Sequence, residues 1–451
     1  MKRCAPWASR SLTPFMNSWP KIILTIAAVL CLISFGALTW LAWETTDVPQ
    51  VPTTQVQPMP KKKATAAPDQ RVQENQAAEA IAAVSAAADD LLSKLAALNA
   101  SSSVVPGELM LRFDSPEALA AFRARAGLAG IDILHSDARL KTARVRYKDA
   151  AKMAAELRDH AKDYDNIAPN YLAWVPGLPK EPQTDPNNAG GVVPFESSGL
   201  DMINATGDRR RWGAGVKVAV LDTGVTDHPD LANVKITHTD FVKDGQPFHG
   251  HGTAMASLIA GQDAQNGGVA PATEILDVRV ADSTGMGNTG FVAQGIMYAV
   301  DSGAKVISIS LGAAADAMML RDAVAYAISR GVIVVGAAGN EQADALSYPA
   351  GYDDVISVAA VDAQGRQAYF SNSGDNLFIS APGVGIISSY DNGKTVIGSG
   401  TSQAAAITSG AISALLSRNY QAAQIPQVLK VNALRTGAPA TQVGVGILKL
   451  P

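Results

Sequence analysis

Apolar and polar positions alternate with two different periods along this chain, and the change of period divides it. Beyond residue 199, short apolar runs at 216–221 (VKVAVL), 275–280 and 332–335 are bounded by turn residues and separated by helical stretches. Such runs suit strands buried on both faces of a parallel sheet, so 199–451 is predicted to be an α/β unit. Upstream, 108–113 (ELMLRF) alternates as a half-buried strand, and Ser115-Pro116-Glu117 starts a helix reaching about Arg125. Strands are predicted at 131–134, 143–147 and 167–174, with a second helix at 149–163. Strand, helix, strand, strand, helix, strand is the order of the ferredoxin-like split motif, which makes 104–175 a compact α+β unit. Before it, the alanine-rich stretch 71–100 places Ile81, Val84, Ala88, Leu91, Leu95 and Leu98 at heptad spacing. That spacing predicts a helix that packs on its own unit or pairs weakly with a second chain through 74–98.

Residues 22–43 carry no charge, and 22 residues of helix reach about 33 Å, enough to cross a hydrocarbon core. Trp40 and Trp43 suit the interface at its end. Lys2, Arg3, Arg10 and Lys21 precede the span while Glu44 and Asp47 come after it, so 1–21 is expected in the cytoplasm and the bulk of the chain outside, periplasmic or extracellular. The proline-rich residues 44–70 read as an extended tether. Residues 176–198, rich in Pro, Gly and Asn, read as an exposed linker where a chain can be cut, releasing its C-terminal part. The net charge of −4 and the lack of any basic block beyond Lys61-Lys62-Lys63 argue against a nucleic-acid partner. Both cysteines, Cys4 and Cys31, lie ahead of the folded units, which therefore have neither a disulfide nor a cysteine metal site.

Four elements after residue 199 carry chemistry. Asp222 ends the first apolar strand, at the edge where open α/β sheets bind ligands, and a carboxylate there can orient a histidine. His251, in His249-Gly250-His251-Gly252-Thr253, opens a helix of small residues, where one ring nitrogen can face outward while a carboxylate holds the other. Ser402, in Gly398-Ser399-Gly400-Thr401-Ser402, stands at a helix start, either as an ordinary N-cap or as a nucleophile whose oxyanion the helix N-H groups would stabilise. Asn340 comes directly after Gly339, beyond a buried strand, and could donate to the same oxyanion. The order Asp, His, Ser is one of the known chain orders of a serine triad. A G-x-G-x-x-G string at 285–290 lies too far beyond its strand to be a dinucleotide fingerprint.

With VAVLDTGV, HPDL, HGT, GMG, SISLG, AAGN and GSGTS in this order, residues 195–450 resemble a subtilisin-like serine peptidase. The resemblance implies a parallel sheet with helices on both faces, and a serine endopeptidase acting on proteins or peptides. It implies Asp222 as orienting acid, His251 as general base and acid, Ser402 as nucleophile and Asn340 as oxyanion donor. Ser310-Leu311-Gly312 and Ala337-Ala338-Gly339 would wall the pocket for the side chain before the cut bond, with apolar walls that favour a large apolar residue. Gly285-Met286-Gly287 would pair with substrate backbone, while His249 and His228 are read as structural. Similarity to the family's propeptide extends to the split motif ending in Ala168-Pro169-Asn170-Tyr171, implying an intramolecular chaperone and inhibitor, and so an autoprocessed, membrane-anchored precursor. Ala254 replaces the family's second histidine, and Gln403-Ala404-Ala405-Ala406 replaces Met-Ala-Thr-Pro, which leaves an inactive binding or chaperone module as the rival reading. The loop 261–268 is shorter than the calcium loop of many relatives, so no cofactor or metal is expected.

Overall fold

The computed structural model describes residues 88–176, 192–263 and 267–451, all within one compact unit that spans 72–451. The predicted span 22–43 and tether 44–70 lie outside the described residues, as does most of the linker. Among the described residues no helix is long and apolar enough to cross a membrane.

Seven strands form the main sheet: β5 (Lys217–Asp222), β6 (Ile236–Asp240), β7 (Glu274–Arg279), β9 (Val306–Ile309), β10 (Ile333–Ala337), β11 (Ile356–Val361) and β12 (Ile379–Pro382). They lie in the order β12-β11-β10-β9-β5-β7-β6, and every neighbouring pair is parallel. Alternation within β5 explains its unbroken apolar sequence. Val218 and Val220 face a core shared with helices α4 (His251–Ala260) and α7 (Thr401–Ser417), whereas Ala219 and Leu221 face the opposite core, against α5 (Thr289–Asp301) and α6 (Met318–Ser329). Both faces of the strand are thus covered by helices. Alanine, glycine and serine dominate α7, which lets it lie buried over β9, β10, β11 and β12. No proline interrupts it at Ala406, and it runs its whole length unkinked.

The N-terminal elements are α1 (Ala88–Ala100), β1 (Val104–Phe113), α2 (Pro116–Arg125), β2 (Ile131–Asp137), β3 (Thr142–Tyr147), α3 (Ala150–Asp159) and β4 (Tyr164–Trp174). Their antiparallel sheet has the order β2-β3-β1-β4 and continues to β8 (Met286–Asn288), beyond the main sheet's β7 in sequence. Ser115 caps α2 by accepting from the Ala118 amide. Some boundaries differ from the sequence expectation. β1 begins at Val104 because that residue still pairs with Tyr171, across a register shift that accommodates Pro106 and Gly107. α3 stops at Asp159, since His160 leaves helical geometry and a short 3-10 turn, Ala161–Asp163, comes next. β4 begins at Tyr164, whose ring packs 5.2 Å from that of its strand partner Phe113. Leu95 of α1 is buried and Leu98 half-buried against the same core as Met153 and Leu157, so this part of the heptad seam is covered by its own unit.

The other face of that sheet meets α5 through a buried charge cluster. Glu108 accepts from Arg144 at 2.8 Å, Arg146 at 2.8 Å and Asn170 at 2.9 Å, and Arg144 lies 4.3 Å above the Phe291 ring. Burial pushes the Glu108 carboxyl up, but the bonds and charge of Arg144, with help from Asn170 and Arg146, outweigh it and hold the group below its ordinary range. A depressed carboxyl contributes stability above its unfolded value of ~4.3, and loses that contribution as pH falls through the folded value. Glu108→Gln leaves Arg144 buried without a counter-charge, and is expected to cost about 3–5 kcal/mol in urea unfolding at neutral pH. The same variant should lose less stability than the parent between pH 5 and the acid limit; equal acid sensitivity of the two would count against this account.

Candidate active site

Asp222 closes β5 at the C-terminal edge of the main sheet and is wholly buried. Its Oδ1 accepts from the amide of Thr223 at 2.8 Å and from the Thr223 hydroxyl at 3.2 Å. His251 Nδ1 lies 2.8 Å from Oδ1 and 3.0 Å from Oδ2, which fixes the ring and leaves Nε2 to face the cleft. His251 is the first residue of α4, and the start of that helix is pinned to the loop after β5: the Gly252 amide donates to the Thr223 hydroxyl at 3.1 Å. His249 is held differently. Its Nδ1 accepts from the His251 amide at 3.3 Å and its Nε2 lies 3.3 Å from the Tyr390 hydroxyl, while burial, and then the neighbouring His251, push its pKa down. His228 accepts from the Asp230 amide through Nδ1 at 3.1 Å and its Nε2 meets the Lys394 carbonyl. Both have local backbone roles.

Ser402 lies in the first turn of α7 but does not cap it; the cap position belongs to Gly400. Its hydroxyl donates to the Ser310 carbonyl at 3.3 Å, and the Ser310 hydroxyl returns a bond to the Ser402 carbonyl at 3.3 Å. Asn340 turns its amide carbonyl to Thr401, accepting from the backbone N-H at 3.0 Å and the hydroxyl at 2.9 Å. Its Nδ2 is thereby aimed at Gly400, where a Cβ atom would lie 3.0 Å from it. The Thr401 hydroxyl also accepts from the Gly339 amide at 3.1 Å. The helix that carries Ser402 therefore touches both segments expected to wall a pocket, 310–312 and 337–339. Leu311, Ala337 and Ala338 are buried.

The 285–287 segment has a partner. Its strand β8 pairs antiparallel with the end of β4, Leu172 opposite Asn288, Ala173 opposite Gly287 and Trp174 opposite Met286. From the other side, Trp174 exchanges both backbone bonds with Gly312 at 3.0 Å, and the Val175 amide donates to Gly285 at 2.9 Å. An extended stretch of the chain thus lies between β8 and the segment at Gly312.

Residues 213–446 match the subtilase family. The chain belongs to that family. It is 38% identical over 251 residues to a thermostable alkaline protease of Halalkalibacterium halodurans, covering 54% of this chain and 69% of that one. Against thermitase of Thermoactinomyces vulgaris it is 39% identical over 236 residues, 51% of this chain and 85% of that one. Among solved structures, fervidolysin of Fervidobacterium pennivorans, described as a keratinolytic enzyme related to subtilisin, superimposes with a TM-score of 0.65 at 26% identity. That likeness covers 77% of this chain but 61% of the neighbour, so the chain spans less than two thirds of that protein.

The protein is accordingly a subtilisin-like serine endopeptidase, and several contacts around this subtilase's site have no signal in its sequence, that of Asn170 among them. Asn170 Oδ1 accepts from the Thr289 hydroxyl at 3.1 Å and the Gly290 amide at 3.0 Å, so a side chain of β4 caps α5 from outside the helix. A second His–Asp pair, His238 Nδ1 to Asp277 Oδ2 at 2.6 Å, lies on β6 and β7. The bond to Asp277 raises the His238 pKa, burial raises that of Asp277, and the same Oδ2 accepts from the Val225 amide at 3.0 Å in the loop after Asp222. Asx and histidine pairings of this sort depend on contacts far apart in sequence.

Gly252 offers a direct test of how tightly the histidine is placed. A Cβ there would collide with the carbonyl of Gly224, so the start of α4 must move away from the loop that holds Asp222. Gly252→Ala is expected to cost about 1–3 kcal/mol of stability and roughly a hundredfold in turnover. Thermal unfolding and steady-state kinetics on a peptide amide would check it; unchanged kcat would show that the two backbones approach less closely than this.

Proposed function

We propose that Asp222, His251 and Ser402 act as one triad, with Asn340 as the side-chain oxyanion donor. The observation that carries this reading is the double contact of His251 Nδ1 with the buried Asp222 carboxylate, together with Ser402 in the first turn of a helix that packs on the one His251 opens. Asp222 holds the imidazole in the tautomer with Nδ1 protonated and balances the imidazolium charge. The Ser402 hydroxyl turns from Ser310 toward His251, and its oxygen attacks the scissile carbonyl carbon as its proton passes to Nε2. The oxyanion is met by the Ser402 N-H and by Asn340 Nδ2, held ready because Thr401 occupies the other half of the amide. Collapse expels the amine, which takes the proton from His251; water then attacks the acyl-enzyme with the same histidine as base, and a second collapse breaks the ester bond as Ser402 Oγ takes that proton back. Only the neutral imidazole can accept the serine proton and so begin the cycle. Walls at 310–312 and 337–339 would receive the side chain before the cut bond, and 285–287 would pair with substrate backbone.

We further propose that the unit preceding the peptidase serves as its inhibitor and folding partner, that 22–43 anchors the precursor with the peptidase outside the cytoplasm, and that cutting within the linker releases it. The fit of β4 into the cleft and the uncharged 22-residue stretch support this arrangement.

Ser402→Ala, His251→Ala and Asp222→Asn should each lower kcat by roughly 10⁴–10⁶, and the losses should not add. Asn340→Ala should cost about 10²–10³ in kcat with little change in KM. A fluorophosphonate should label the parent and not Ser402→Ala. Labelling at another serine, or a His249→Ala variant that loses activity while His251→Ala keeps it, would reject the assignment. In cells, Ser402→Ala should stay full-length and membrane-bound while the parent yields a soluble C-terminal fragment; an intact, active, membrane-retained parent would reject release.

A further inference from the structure

The stretch 172–176 enters the cleft in a defined register, and the register identifies which residue meets the nucleophile. Trp174 and Gly312 exchange both backbone bonds, N-H to carbonyl in each direction at 3.0 Å. In an antiparallel ladder such doubly bonded pairs recur at every second residue. The next pair along is therefore residue 176 with residue 310, and the N-H of residue 176 would donate to the Ser310 carbonyl. Residue 176 is proline and has no N-H to give. The Ser310 carbonyl instead accepts the Ser402 hydroxyl, at 3.3 Å. On the opposite side the ladder with β8 ends one residue earlier, with the Val175 amide on Gly285. The strand is thus held from both sides as far as Val175, and its backbone pairing stops where Ser402 begins.

Proline also changes the path of the chain. Its ring holds φ near −65°, whereas an antiparallel strand needs about −140°. The carbonyl of residue 176 is the one a substrate in this register would present for attack, and a φ fixed by the ring would shift it from the line of the ladder, with no N-H bond to draw it back. An error of about 1 Å in such a position costs on the order of a hundredfold in rate.

We propose that residues 172–176 are a built-in ligand of the cleft that lies in the substrate direction yet resists cleavage at the bond it presents, and that Pro176 is the residue responsible. This inference rests on the reading of Ser402 as nucleophile. Its consequence is that the first cut in the linker does not fall between residues 176 and 177, and that the docked strand is a persistent occupant of the cleft.

The test uses the full chain and three variants. Pro176→Ala restores the N-H at that position, and should give a C-terminal fragment whose first residue is Gly177, at least a hundredfold faster than the parent; N-terminal sequencing reads it. The double variant Pro176→Ala/Ser402→Ala should give none. Trp174→Pro removes the donor to Gly312 and should raise the initial rate on an added peptide amide about tenfold, as expected when one or two backbone bonds of the occupant are lost. A parent chain that itself yields the Gly177 terminus in a Ser402-dependent way overturns the proposal. So does Pro176→Ala remaining uncut while Trp174→Pro is active on the added peptide, in which case the peptidase reading stands and the role of Pro176 falls. If no variant hydrolyses the peptide and none is labelled by a fluorophosphonate, the peptidase reading fails and takes this inference with it.

Discussion

A carboxylate withdrawn from water at the end of a central strand sets the terms for everything around it. Asp222 has no solvent contact, and such a group is tolerable only if hydrogen bonds surround it. Thr223 supplies two of them and His251 the third, so the loop after β5 and the start of α4 must come together in one geometry. That approach requires backbone against backbone, which is why a glycine faces Gly224 at the head of α4. The same helix packs on α7, which carries Ser402, through alanines small enough to let the two axes lie close. The stability of the core and the placement of the reacting groups are consequences of the same packing.

Much of this can be read from the chain alone because it rests on local signals. The apolar run ending in Asp222 announces a doubly covered strand, and the glycines around His251 and Ser402 announce sharp entries into helices. Ser115-Pro116-Glu117 marks the start of α2 with equal clarity. The parts that carry no such signal are contacts between segments with no shared pattern. Asn170 lies inside the predicted strand 167–174, but its partner emerges only when β4 lies against α5, 120 residues away in sequence from the Gly290 amide it accepts. The second bond of Thr401, which steers Asn340, joins residues 61 positions apart. Strand ends depart from expectation where long-range pairing overrides propensity, as at Val104, carried into the sheet by Tyr171 despite Pro106 nearby.

The contact between the N-terminal unit and the peptidase combines interactions of unequal weight. Arg112 with Asp322 at 3.1 Å and Arg139 with Asp301 at 2.7 Å are solvent-accessible pairs, screened by salt and each worth about 0–1 kcal/mol. Met110 is different, buried among residues of α5 and the main sheet, with Ala173 in the same cluster. Arg144 spans the two classes: Glu108 neutralises it from within its own sheet, and its flat guanidinium lies over Phe291 across the boundary. Complementary charge thus orients the two surfaces, while apolar burial and the ladder of β4 hold them.

One strand belongs to both structures. The base of β4 is an inner member of the N-terminal sheet, bonded along Tyr164 to Tyr171, and Leu172 is still tied to the Ser103 carbonyl at 2.8 Å. Only the last few residues lie wholly in the cleft. Fraying from the tip can therefore clear little space, and emptying the cleft means moving the whole sheet with its charge cluster and its cap on α5. Because β4 and the segments it pairs with belong to one chain, their local concentration about each other is fixed, and dilution of the intact protein cannot lower it.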